Sequence, residues 1–460
     1  MMADSKKLSR ERLMGSAPML PLIIKMSLPS MFSMLIQALY NIVDSIFVSR
    51  LGEYALSAVS LIFPIQMLNV AVGVGTGIGL ASLISRKLGE QNYEHANISA
   101  SHGVFLAVCS WAVFVIVGLF GVPAFVGAFS KTSEVTAAAA VSYGQIVCIG
   151  SLFVFNAMAV ERVMQACGDM IAPMFCSLTG CITNVILDPI MIFGKLGCPA
   201  FGVAGAAYAT VIGQVANFTV AMIFLRSRKL PVKIDMRGFR PRKTAIAQIY
   251  QVALPSMMIQ SIGSVTNIAL NAILIGFSES AMAALGIYFK LQSFVFMPVF
   301  GMNQGVMPIM GYNFGARNRA RLMDCFKKAV VIAFIIMSVG TLIFQIFPAE
   351  LMRLFDAEGD LLAIGVKALR TISYSFPLAA VSIICGTMFQ GTGHGVNSMI
   401  VAVLRQLVVI VPAAFLLSKA FGVMGVWYAY PLAEIMGITV SLLLFRKLYD
   451  KEIKTMQSVV

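Results

Sequence analysis

The chain has 460 residues, of which 59% are hydrophobic and only 12% charged, and its mean hydropathy is +0.87. Soluble domains are about half apolar and about a quarter charged, so this composition excludes a water-soluble enzyme or binding module and implies a polytopic membrane protein. A formal net charge of +14 would point to nucleic acid in a soluble protein; here it is read first as a topology signal.

Crossing ~30 Å of hydrocarbon takes about 20 apolar residues in a helix. The chain divides into twelve such spans, at 20–49, 55–85, 96–121, 135–160, 170–194, 201–225, 245–276, 281–311, 326–347, 361–389, 395–418 and 422–446. Several are long enough to imply tilt or bending. The expected fold is all-α, with two six-helix lobes at 20–225 and 245–446. A cytoplasmic tail at 1–19, an inter-lobe segment at 226–244 and a C-terminal tail at 447–460 complete it. The N-terminus carries Lys6, Lys7, Arg10 and Arg12 but no short apolar core followed by a small-residue cleavage site, so it reads as a tail and not as a removable signal.

In chain order, span 1 contains Lys25, close enough to the cytoplasmic end to snorkel, and Asp44, an acid within the apolar run "IQALYNIVDSIFVSR". Ionisable groups in a span cost ~2.5–3.5 kcal/mol on insertion scales, so each needs an account. Asp44 precedes the loop residue Gly52 by about 12 Å of helix, which puts it in the outer half. Span 2 holds "GVGTGIG" (73–79), which lacks the Lys-Ser or Lys-Thr of a nucleotide loop and reads as a small-residue packing face.

Span 4 brings Tyr143 to the depth of Asp44. Span 5, "CITNVILDPIMIFGK", brings Asn184 and Asp188, four residues apart on one helical face, and span 6 brings Thr210. Pro189 removes a backbone donor beside Asp188 and favours a kink. This polar layer suits a sodium ion held by Asp44, Asp188 and Asn184. It suits a proton equally, since removal from water favours the uncharged form of a carboxyl group. The residues alone leave both open.

The second half repeats the scaffold without the acids. "LPSM" at 28–31 recurs at 254–257, Gly75 and Gly79 match Gly301 and Gly305, and "GVAGAAYA" (202–209) returns as "GVMGVWYA" (422–429). Asp44 faces Leu270 in the copy, and the stretch matching Asp188 reads "VVIVPAAF". A scaffold that repeats while its acids do not favours a functional role for Asp44 and Asp188 over helix glue.

Lys290, Arg405 and Glu434 fall within spans of the second half, where Glu434 with Lys290 or with Arg405 would make a structural ion pair or touch substrate; Arg370 is expected to face water. The eight cysteines form no C-x-x-C pair, and His95, His102 and His394 lack metal-ligand spacing. With the N-terminus inside, cytoplasmic segments collect 24 of the 34 Lys and Arg, while Arg50, Lys131, Lys195, Arg353 and Lys419 lie outside, so both termini are expected in the cytoplasm. Six spans per half make the repeats parallel, an architecture of secondary transporters.

Across nearly its whole length the chain resembles the multidrug and toxic compound extrusion (MATE) transporters, in "LPSM", "YNIVDSIFVSRLGEYALSAVSL", "LISRKLGEQN" and "NVILDPIMIF". The acids are similar to those of the MepA-like and DinF-like branches. By that resemblance Asp44, Asn184, Asp188 and Thr210 match the N-lobe cation site, Tyr143 a tyrosine of its network and Pro29 a bend in span 1. The NorM-like acids of spans 7 and 10 are not matched; span 7 has Gln260, Asn267 and Asn271 instead.

The resemblance implies antiport of lipophilic organic cations against protons or sodium from the cell membrane, with no enzymatic residues, no cofactor beyond the coupling ion and no nucleic-acid partner. A monomer in the bilayer is expected. The 30 Met and 32 Phe suit a repackable pocket of low specificity. A lipid or lipid-linked oligosaccharide flippase of the same superfamily, or a passive channel, are the alternatives.

Overall fold

The computed structural model describes residues 10–128 and 133–456. Lys6, Lys7 and Lys131, counted in the charge pattern above, lie outside them. Among the described residues the chain is helical and without strands, as a bilayer demands, because helices satisfy their own backbone polar groups where no water can. The helices in chain order are α1 (Arg10–Ser16), α2 (Met19–Ser49), α3 (Glu53–Gly89), α4 (Tyr93–Ile116), α5 (Val122–Ala128), α6 (Glu134–Ala166), α7 (Ile171–Phe193) and α8 (Val203–Ser227). They continue as α9 (Lys243–Leu274), α10 (Glu279–Gly315), α11 (Arg319–Ile346), α12 (Pro348–Arg353), α13 (Gly359–Ser373), α14 (Phe376–Gly391), α15 (Gly395–Val403), α16 (Val411–Phe421) and α17 (Val423–Leu448). Short π-helical segments at Val117–Gly121, Leu404–Ile410 and Tyr449–Ile453 join or extend them.

Eleven continuous helices are long and apolar enough to cross a membrane, and α13 with α14, bent by 50° at their junction, make a twelfth. Each falls on one of the twelve expected spans. The chief differences are at the ends: α6 runs on to Ala166, beyond the expected end of span 4, and α11 starts at Arg319, before span 9. In both places polar residues sit inside the last or first turns of a helix rather than in a loop.

The repeat is visible in local geometry. Gly202 and Gly422 start α8 and α17 at φ of 56° and 59°, a conformation that suits glycine, which explains why "GV" recurs at both sites. Asn92 and Asn318 cap α4 and α11 by accepting from the N–H of His95 and Arg321, each at 3.1 Å. The residues before them, Gln91 and Arg317, take φ of 58° and 55°.

The chain forms two compact units. One holds 32–88 and 92–257, the other 12–31, 89–91 and everything after Met257. They differ from the sequence halves 20–225 and 245–446 by an exchange: the first part of α2 packs in the C-terminal unit and the first part of α9 in the N-terminal unit. The chain changes unit two residues after Pro29 in α2 and two after Pro255 in α9.

Glycines make the exchange possible. A Cβ on Gly75 would lie 2.9 Å from the Met257 nitrogen, and one on Gly79 would lie 2.9 Å from the Ala253 Cβ, so α3 meets the first part of α9 backbone to backbone. Their repeat mates do the same in the other unit, where Gly301 would strike the Met31 Cα at 2.6 Å and Gly305 the Met26 carbonyl carbon at 2.7 Å. Gly73 and Gly77 on the other face of α3 take Met158 and Arg162 of α6. The "GVGTGIG" run is thus a two-sided packing face, as lipid-embedded helices use where burial of apolar surface gives no advantage.

The described parts of the segments expected as tails are packed. Met14 of α1 is fully buried, the Met14 carbonyl accepts from Asn313 Nδ2 at 3.0 Å, and the Ala17 carbonyl accepts from Arg321 Nη2 at 2.7 Å. At the other end Ile453 is buried and Glu452 Oε1 meets His394 Nε2 at 2.9 Å. The inter-lobe segment is tied to the first turns of α4. Asn97 Oδ1 accepts from the Lys233 N–H at 2.7 Å, Ser101 Oγ from the Asp235 N–H at 3.1 Å, and His102 Nε2 from the Arg242 N–H at 2.8 Å.

If the glycine seam holds the N-terminal unit together, Gly79→Val should remove most of the monodisperse peak in fluorescence size-exclusion chromatography. Gly286→Ala, where a Cβ meets nothing within 4 Å, should stay within about 1 °C of the wild-type Tm. Equal behaviour of the two variants would sink the seam.

Candidate ion and substrate site

Four helices of the N-terminal unit bring the expected residues together. α7 carries Asp188 at 0% exposure and Asn184 at 2%, one turn apart on its inner face. α8 faces them with Thr210, α6 adds the buried Tyr143, and α2 adds Asp44, half-buried with its Oδ1 enclosed. The close approach of α7 to α8 is set by Gly180 and Gly213, where a Cβ on Gly180 would lie 3.1 Å from the Gly213 carbonyl oxygen.

Asn184 organises the cluster. With its amide turned so that donors meet acceptors, Nδ2 donates to Asp188 Oδ2 at 2.9 Å and Oδ1 accepts from the Thr210 N–H at 3.0 Å. The Thr210 hydroxyl donates to the Ala206 carbonyl at 2.9 Å. Asp44 and Asp188 stand close enough to share a hydrogen bond when one of them carries a proton. Asp44 Oδ1 and Asp188 Oδ1 are both buried with no hydrogen-bond partner. Two carboxyl groups this close repel one another when both are ionised, and a proton on either relieves that repulsion.

The structure adds two residues to this site and a buried acid elsewhere on α6. Tyr40, one turn before Asp44, reaches the Thr210 side chain, and Gln66 of α3 donates to the Tyr143 hydroxyl at 3.0 Å. The acid is Glu161, about 27 Å of helix beyond Tyr143, hydrogen-bonded to Asn217 of α8, with its Oε1 buried and unpartnered. Its neighbour Arg162 turns Nη1 to Gln165 Oε1 at 2.9 Å. The i,i+4 spacing of Tyr40 and Asp44 could have found the first. Glu161 was hidden by ending span 4 at residue 160. Asn41, three residues before Asp44 in α2, is exposed.

Pro29 and Pro189 lie inside α2 and α7, both of which continue as helix through them. A cavity of about 910 Å³ in the same unit is walled mainly by apolar residues of α5, α6 and α8, among them Val126, Ile146 and Tyr208, and contains none of the carboxylates.

In the C-terminal unit the charge pairing is decided. Arg405 Nη1 donates to Glu434 Oε1 at 3.0 Å and Oε2 at 3.3 Å. Lys290 is exposed and instead lies 5.7 Å from the centre of the Phe355 ring, so the alternative Lys290–Glu434 pair is not formed. Arg370 and Lys25 are both exposed.

Comparison with known proteins places this arrangement. The MatE family model matches residues 29–190 and again 255–416, one match per repeat. The multidrug export protein MepA of Staphylococcus aureus is 26% identical over 439 residues, 95% of each chain. A solved structure of MATE in the bent conformation superposes with a TM-score of 0.91 at 28% identity, covering 98% of this chain and 99% of its own. The straight conformation gives 0.88 at 27% and 98% of each. Two family matches related by the internal repeat, over a helical two-lobe scaffold, establish that the chain belongs to the MATE family of multidrug efflux transporters and is MepA-like within it.

Proposed function

We propose that the protein is a proton-coupled antiporter of the cell membrane that exports lipophilic organic cations. The observation that carries this reading is the pair Asp44–Asp188, two adjoining carboxyls with enclosed, unpartnered oxygens. Loading the pair with a proton removes charge that would otherwise hold an organic cation in the N-terminal unit. Releasing it restores that charge. A ligand can shift a conformational equilibrium only by its differential affinity for the two states, and here proton and drug compete for the same carboxyl oxygens. Glu161 adds a third buried acceptor in the same unit.

The proton is favoured over sodium by the orientation of Asn184. In the orientation that satisfies both neighbours its NH2 group points at Asp188, so on that side it offers a donor where a sodium ion needs an oxygen. Both termini are assigned to the cytoplasm and the working unit to a monomer. Pro29 is assigned to a hinge, because the chain changes unit two residues beyond it. Pro189 stays with the site as the residue that breaks the α7 hydrogen-bond ladder beside Asp188.

Two measurements test the reading. Ethidium efflux from proteoliposomes should follow an imposed proton gradient, ignore a sodium gradient, and fall at least about tenfold in Asp44→Asn and Asp188→Asn. Efflux driven by sodium alone would replace the ion, and gradient-independent leak would identify a channel. Independently, Asp44→Asn should raise the Tm of the detergent-purified protein by roughly 1–3 °C at neutral pH, because the new amide donates to Asp188 in place of a second carboxyl. A fall in Tm would mean that Asp44 serves as helix glue.

A further inference from the structure

The inter-lobe segment carries eight of the 34 Lys and Arg between Arg226 and Lys243, and against them a single acid, Asp235. Asp235 Oδ1 already accepts from the Arg237 N–H at 2.8 Å. Arg228 is occupied within the protein, 3.7 Å from the buried Asp169 carboxylate and 5.5 Å from the centre of the Phe224 ring. Lys229, Lys233, Arg237, Arg240 and Arg242 are exposed, and among the described residues none of them makes an ion pair.

These charges ride on a fixed piece of backbone. Leu230 and Ile234 pack against the buried cluster of Val160, Met164, Ala172, Cys176 and Ala221, and Val232 between them is buried. That alternation turns Lys229 and Lys233 to the outer face. The attachment to α4 uses main-chain N–H groups of Lys233, Asp235 and Arg242, which leaves the charged side chains free. Phe239 adds ring contacts to His102 and Phe105 at 4.8 and 5.3 Å.

The place is the bilayer surface. From Tyr93 to Ala128 the α4 crossing has 36 residues. That is ~54 Å of helix, more than the ~40–45 Å of hydrocarbon and headgroups together, so the first turns of α4 reach the headgroup layer. Beside the charges Met236 is 45% exposed, and an apolar side chain among basic ones is the composition of an interfacial anchor.

We propose that the outer face of the inter-lobe segment docks anionic phospholipid headgroups, with Lys229, Lys233, Arg237, Arg240 and Arg242 on their phosphates and Met236 at the acyl boundary. Ammonium and guanidinium groups have donors and no acceptor of their own, and phosphate oxygens supply the acceptors that the protein does not. A headgroup that adds a choline cation cancels this attraction; one with net negative charge keeps it. The cytoplasmic assignment of the segment decides only which leaflet supplies the lipid.

The test is the melting of purified full-length protein in detergent with added phosphatidylglycerol or phosphatidylcholine of the same acyl chains. Phosphatidylglycerol should raise Tm by about 3 °C or more over phosphatidylcholine, and about 0.5 M sodium chloride should remove most of the gain. Lys233→Gln with Arg237→Gln leaves the backbone bonds to α4 in place. It should lose at least about half of the gain and keep its Tm in phosphatidylcholine within about 1 °C of wild type. Lys233→Arg with Arg237→Lys keeps the charge and should keep the gain. Arg50→Gln with Lys195→Gln removes the same charge from exposed positions beyond the far ends of α2 and α7, and should also keep it. Equal loss in the two glutamine pairs, loss in the charge-keeping pair, an unchanged gain in Lys233→Gln with Arg237→Gln, or the same stabilisation by inorganic phosphate without lipid would overturn the assignment. Melting involves no ion-coupled efflux, so this result and the antiport reading stand or fall separately.

Discussion

Backbone-to-backbone contact through glycine is the constraint on which this molecule depends. In hydrocarbon, helices gain nothing from hiding apolar surface from one another, so association has to come from close dispersion contact, and that needs positions without a side chain. Gly75 and Gly79 give α3 such a face for the first part of α9, and Gly301 and Gly305 give α10 the same face for the first part of α2. Each repeat thereby takes half a helix from the other. A larger residue at any of the four would push a helix away from its neighbour's main chain, where nothing can rotate aside.

On this repeated scaffold the polar chemistry is asymmetric. The N-terminal unit encloses carboxyl oxygens that have no hydrogen-bond partner, on Asp44, Asp188 and Glu161. The C-terminal unit holds its buried carboxylate, Glu434, in a pair with Arg405 and leaves the hydroxyls of Tyr288 and Tyr430 without a partner. An unsatisfied polar group out of water costs about 1–3 kcal/mol, and more when charged. Such groups persist where something other than stability selects them.

Much of this was legible in the sequence because the bilayer imposes a simple code. Twelve apolar stretches gave twelve crossings, and the repeat of Gly75 and Gly79 at Gly301 and Gly305 marked the packing faces. Asp44, Asn184, Asp188, Thr210 and Tyr143 could be gathered from depth alone, since a helix advances at a fixed rise per residue. Three things could not be read. The exchange of half-helices leaves no mark on hydropathy, because α2 and α9 stay continuous through the crossing points. Glu161 and Arg162 looked like the start of a loop, because polar residues at a helix end and in a loop are alike in composition. The choice of Arg405 over Lys290 as partner of Glu434 depends on which face of α10 turns inward, and an evenly apolar helix does not announce its inner face.

His102 shows where the chain can and cannot articulate. It donates from Nδ1 to the Ile98 carbonyl at 2.7 Å and accepts at Nε2 from the Arg242 N–H at 2.8 Å, while Phe239 packs edge-on against its ring at 4.8 Å. With Asn97 and Ser101 it sews the long basic segment onto α4, within the same unit that goes on to include the first part of α9. The most loop-like stretch of the sequence is therefore a strap, and its two ends belong to one body. The chain passes from one unit to the other inside α1, α2 and α9 and at the turn at 89–91. A protease nick in the strap would consequently leave every covalent joint between the units in place.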